Sequence, residues 1–219
     1  MNTESQDSLA ALNDIKRIMN QSSRFISLSG LSGIAAGVCA LIGCWLAHPY
    51  IVGQKNYIIN QQLNLPQALK QDFTIIFNTY LFYIAMGTLL AALILAYVFT
   101  YFKSKKDGSK LWGNTALRLL FNLALPLFVG FLFILKLISL GAIGLIMPSI
   151  LIFYGLALTS SSKYTLGEIK YLGYIQIVLG LANMLMVGYG LYFAAFGFGV
   201  MHIVYGVIMW YKYEQKVTE

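Results

Sequence analysis

The chain has 219 residues, of which 58% are hydrophobic and 11% charged, against about 45–50% apolar and about 25% charged in soluble domains. That composition excludes a water-soluble globule, and the length suits one bundle with short extensions, since no Ser-, Pro- or charge-rich linker marks a second domain. The formal net charge of +7 lacks the basic helix or aromatic-basic groove of a nucleic-acid binder and reads instead as orientation in a membrane.

From the N-terminus, residues 3–24 predict an amphipathic helix. Thr3 and Gln6 have capping-box spacing, and Ala11, Leu12, Ile15, Ile18 and Met19 fall on one face. Such a helix lies on the inner leaflet or packs on a partner; the apolar stripe leads straight into a span, which favours the leaflet.

The first span is predicted over 25–47. It is dense in small residues, Gly30, Gly33 and Gly37 among them. Small side chains gain nothing from lipid and permit close helix contact, so this helix is expected at the centre of the bundle. Leu41-Ile42-Gly43-Cys44 has the outline of a bacterial lipobox, but the cysteine comes late, the apolar run is long and Trp45 follows. Cys39 and Cys44 lie five residues apart on one helix, about 140° around its axis, and cannot pair with each other.

Residues 48–72 read as an outer segment. Asn56, Asn60 and Asn64 repeat every four residues, which predicts a short interfacial helix before Pro66 opens the next one. The second span, 73–102, is about 45 Å long and must tilt or project beyond a hydrocarbon core of about 30 Å. It ends at Lys103-Ser104-Lys105-Lys106-Asp107-Gly108-Ser109-Lys110, a stretch too costly to bury in lipid and therefore the topological anchor. Spans three and four follow over 115–135 and 140–158, each with an expected kink, at Pro126 and Pro148. Thr165-Leu166-Gly167-Glu168 is a capping box that opens span five, 171–192. A joint near 193–196 leads to span six, 195–211, and residues 213–219 form a polar tail.

With the N-terminus cytoplasmic, twelve Lys and Arg residues fall on its side and Lys55, Lys70 and Lys136 on the other. The positive-inside rule then gives an all-α polytopic bundle of six transmembrane helices with both termini in the cytoplasm. Gly30 and Gly37, Gly173 and Gly180, and Gly199 and Gly206 are each seven residues apart, in spans one, five and six. These three helices are expected to pack together.

The inventory for chemistry is short. No Asp or Glu lies within a span, so the carboxylate relay of proton-driven carriers is absent. Two His and two Cys make no recognisable metal or haem set, and no nucleotide-binding or metalloprotease motif occurs. No cofactor is therefore expected. Gly30-Leu31-Ser32-Gly33 with His202 in a sixth span resembles the serine motif and late histidine of rhomboid proteases. Here the serine is in the wrong span, and the two depths differ by about 9 Å where proton transfer needs about 3 Å. Depth counted along the helices instead brings Asn183, about 18 Å up, beside His202, about 19 Å up, with Asn78 and Tyr205 joining them in one polar patch. Span layout and the Gly- and Tyr-rich helices, including Phe196-Gly197-Phe198-Gly199-Val200-Met201-His202, resemble uncharacterised small inner-membrane proteins of bacteria. That resemblance implies the inner membrane as location and brings no activity. Two functions follow: a non-enzymatic membrane component that associates with itself or a partner, or a carrier of a small solute or lipid using the patch at Asn78, Asn183, His202 and Tyr205.

Overall fold

The computed structural model describes residues 29–61 (backbone alone for 52–61), 80–106, 108 and 113–214. Every regular element among them is helical: α1 (Gly30–Gln61), α2 (Tyr80–Lys106), α3 (Asn114–Ser139), α4 (Ile146–Ser161), α5 (Ile169–Leu185), α6 (Gly190–Ala194) and α7 (Met201–Tyr213). Short 3-10 turns precede and follow α4, and a π segment, Ala195–Val200, joins α6 to α7 without a break. Five stretches are long and apolar enough to cross a membrane, namely Gly30–Ile51, Tyr80–Lys106, Asn114–Ser139, Ile143–Tyr164 and Gly190–Tyr213; Ile169–Leu185 is a shorter apolar helix. The expected N-terminal helix lies outside the described residues, as do residues 215–219 of the C-terminal tail and the segment carrying Asn64 and Pro66.

Several boundaries differ from the sequence reading. Helix α1 does not stop at Ala47 but runs through Pro49 to Gln61, because a proline removes one hydrogen bond and bends a helix without obliging it to end. Helix α2 continues through Lys103, Lys105 and Lys106, so half of the basic stretch is a helical last turn, where cations meet the negative end of the helix dipole. Pro148 was expected to interrupt a span. It sits instead in the first turn of α4, where its missing N–H has no intrahelical partner to lose. The final hairpin turns at Met186–Tyr189, with Gly188 at φ +98°, and not at 193–196. The apolar Met-Val-Gly-Tyr run disguises that turn, while the Gly-rich residues after Ala194 that suggest a joint are absorbed by the π segment.

Packing follows the small residues. Gly30, Gly33 and Gly37 of α1 lie against the backbone of Gly199, His202, Gly206 and Trp210. Gly173 and Gly180 do not join them: they face Gly155, Thr159, Pro148 and Ile152 of α4, making α4 and α5 the most closely packed pair. Seven-residue glycine spacing marks a flat face and cannot say which neighbour uses it. The centre is thus α1, α4, α5 and the α6–α7 run, with Leu158, Ile169 and Leu172 as a small core under Tyr154, Met201 and Tyr205. Helices α2 and α3 flank it, packed mainly on α1 and α4 respectively. No residue of α2 from 80 to 99 is buried.

Both ends of the bundle are tied down. At one, Glu214 accepts from the Gly30 backbone N–H (2.7 Å) and the Ser29 hydroxyl (3.1 Å) and lies 3.4 Å from the Lys103 ammonium. This joins the start of α1, the end of α2 and the end of α7. A carboxylate at an unpaired helix N-terminus is well placed for both hydrogen bonding and the dipole. At the other end His48 meets Tyr192 edge-on and Tyr50 stacks on Tyr80, aromatic contacts of the kind found at membrane interfaces.

Candidate polar site in the bundle interior

Side chains of α5 and α7 meet at the carbonyl of Gly197 in the π segment, and α4 joins them through His202. The Gln176 amide donates to that carbonyl from α5 (2.7 Å), and His202 Nδ1, from α7, lies 3.0 Å away. A carbonyl only accepts, so Nδ1 carries the hydrogen and His202 Nε2 is the acceptor. The Tyr154 hydroxyl of α4 donates to that Nε2 at 2.7 Å. The Tyr154 and His202 rings stack at 5.5 Å, and Phe198 lies against both. Gly197 admits this arrangement sterically, since a Cβ there would sit 2.6 Å from Gln176 Oε1.

Of the patch read from the sequence, Asn78 lies outside the described residues. Asn183 and His202 are both buried but do not meet. The depth count placed the end of span five at Tyr192, whereas α5 ends at Leu185, and the antiparallel register moves accordingly. Gln176 lies opposite Gly197, and seven residues further along α5 Asn183 lies opposite Gly190, beside Met147 of α4. Among the described residues neither amide atom of Asn183 has a hydrogen-bond partner, nor do Gln176 Oε1 or the buried Tyr205 hydroxyl. Sequence reasoning missed Gln176 and Tyr154. Gln176 had left a signal, an amide amid apolar residues on the same helical face as Asn183; Tyr154 is one of 15 tyrosines and had none.

Ser32 and His202 form no dyad. The Ser32 hydroxyl donates to the Ser29 carbonyl at 2.5 Å, and both His202 nitrogens are engaged as described. Cys39 and Cys44 are free thiols. Among the described residues no three His, Cys, Asp or Glu side chains gather where a metal ion could bind.

At the end of the bundle that carries Glu214, Glu168 is a perturbed titratable group. The Glu168 carboxylate is bonded by Lys212 and accepts from the Tyr213 hydroxyl at 2.8 Å. Burial pushes its pKa up, but the hydrogen bonds from Lys212, its own backbone N–H and Tyr213, with the Lys212 charge, outweigh that and hold it below the usual carboxylate value. The carboxylate read as a local cap thus ties the start of α5 to the end of α7.

No family model, curated protein or solved structure matches the chain.

Proposed function

We propose that this is a multi-pass protein of the bacterial inner membrane, with six crossings and both termini cytoplasmic, that works by associating with a second copy of itself and carries out no catalysis. The observation that carries the reading is the outward face of α2. It has no buried residue between 80 and 99, and Gly87 and Ala91, one turn apart, are both exposed on it. A Cβ at Gly87 would meet nothing within 4 Å, so no contact among the described residues calls for a glycine there. Lipid gives no reason for one either, whereas a closely packed helix from a second copy does. The orientation is supported by the cluster of Ser29, Lys103, Glu168, Lys212 and Glu214 at one end of the bundle and by the twelve-to-three cation bias of the sequence.

The test is the mass of the protein in lipid nanodiscs or by native mass spectrometry, for wild type and Gly87→Leu. The reading expects wild type to be dimeric or larger and Gly87→Leu to be monomeric with unchanged thermal stability. A wild-type protein that stays monomeric at every protein-to-lipid ratio refutes it.

A further inference from the structure

A series of polar side chains on the central helices, some buried and some half-buried, can be followed from one end of the bundle towards the other. At one end stand Glu168 and Tyr213, hydrogen-bonded to each other. Tyr205 follows, two turns back along α7, packed like Tyr154 on the core of Leu158, Ile169 and Leu172. Next come Tyr154 and His202, 2.7 Å apart, and the Gly197 carbonyl shared by His202 and Gln176. Asn183, two turns beyond Gln176 on α5, ends the line. From Glu168 to Asn183 the column rises about 22 Å at 1.5 Å per residue, most of a hydrocarbon core of about 30 Å.

Three members of the line carry buried polar atoms without a partner: the Tyr205 hydroxyl, Gln176 Oε1 and both amide atoms of Asn183. Gln176 is 0% exposed and Asn183 1%. A buried polar atom left without a partner is costly, and interior groups of this kind are the ones that hold internal water. Packed glue between helices needs its bonds closed, as those of Gln176 Nε2 and His202 are. Open polar atoms recurring above and below a closed histidine are what a chain of waters broken by one protonatable side chain requires. The groups against the His202 ring are Tyr154 from α4, Phe198, and the Gly197 carbonyl, which Gln176 of α5 shares. No Asp, Glu, Lys or Arg occurs from 146 to 162 or from 171 to 211, so the only group on this stretch that readily takes up a proton near neutral pH is the imidazole.

We propose that this column conducts protons across the bundle, with His202 as its single protonatable stop and internal water between its other members. A proton arriving from the Tyr205 side bonds to the Tyr154 oxygen as the Tyr154 hydrogen passes to His202 Nε2. The imidazolium then turns and gives the Nε2 hydrogen to water on the Gln176 side, keeping its Nδ1 hydrogen throughout. One proton enters for each that leaves, nothing is oxidised or reduced, and the ring turns back in the tautomer it started from. Flow follows the pH difference.

The experiment is dissipation of an imposed pH gradient in proteoliposomes of the full chain, followed with an internal pH-sensitive dye and the membrane potential clamped by valinomycin and potassium. Wild type is expected to collapse the gradient faster than empty liposomes and to slow in heavy water. His202→Phe should lose this activity, and Tyr154→Phe, which keeps the ring against Phe198 and removes only the hydroxyl, should slow it. Asn122→Ala, whose amide donates to the Arg118 carbonyl away from the column, should leave it unchanged. Wild-type rates equal to those of empty liposomes, or undiminished flux in both His202→Phe and Tyr154→Phe, overturn the proposal. Self-association is read from mass and stands or falls separately.

Discussion

Replacing Gly206 by alanine tests the close contact between the first and last long helices. A Cβ at Gly206 would lie 2.6 Å from the Ile34 nitrogen, 2.7 Å from the Gly30 carbonyl oxygen and 2.8 Å from Ile34 Cγ1. Two of those three atoms are backbone, so no side chain can swing away and the helices must part by about 1 Å to restore ordinary contact. A gap of that size forfeits a quarter to a half of the dispersion well for each atom pair across it, and overpacking of this kind costs about 1–3 kcal/mol. Alanine's higher helix propensity returns about 1 kcal/mol, leaving a net loss of about 0–2 kcal/mol against wild type. The assay is reversible unfolding in mixed micelles, with Gly87→Ala as the reference, since the open space at Gly87 gives it the same propensity gain without the clash; Gly206→Ala should be less stable than Gly87→Ala by about 1–3 kcal/mol. Equal stability of the two variants would refute the reasoning about this contact.

Two further outcomes concern the ties at the end of the bundle. Glu214→Ala removes the acceptor for the Gly30 N–H and the Ser29 hydroxyl, and loss of such a cap should cost about 0.5–2 kcal/mol; hydrogen exchange should rise first at the start of α1. For Glu168 the folded pKa is depressed, so its contribution to stability is full above the unfolded value of about 4.3 and disappears as pH falls through the lower folded value. Unfolding midpoints measured from pH 7 down to pH 3 should therefore fall on the acid side in wild type, and Glu168→Gln should flatten that fall; an identical acid limb in both proteins contradicts the assignment.

Lipid solvation made most of the helices legible. A residue run that must bury its backbone polar groups has little choice but a helix, so the apolar stretches declared themselves, as did the end carrying Lys103, Lys105 and Lys106. Joints were harder to read, because turns within an apolar chain need not be polar. Gly188 turns the last hairpin inside Met-Val-Gly-Tyr, and the more suggestive Phe196–Gly199 stretch lies within a helix. That error of a few residues displaced the polar patch: it paired His202 with Asn183, when Tyr154 bonds the histidine and Gln176 shares the Gly197 carbonyl with it. The glycines indicated which faces pack but not on whom, since Gly173 and Gly180 serve α4 while the glycines of α1 serve α7.

The central claim is a bundle crossing a bilayer six times with its two ends on one face. Single cysteines on a Cys39→Ser, Cys44→Ser background, at Gln215 and Asn13 and in the opposite turn at Gly141, labelled in intact inverted and right-side-out vesicles with a membrane-impermeant maleimide, test it directly. The account predicts that Asn13→Cys and Gln215→Cys label from the cytoplasmic side and Gly141→Cys from the other. Labelling of the two terminal sites from opposite sides, or of all three from one, would contradict it.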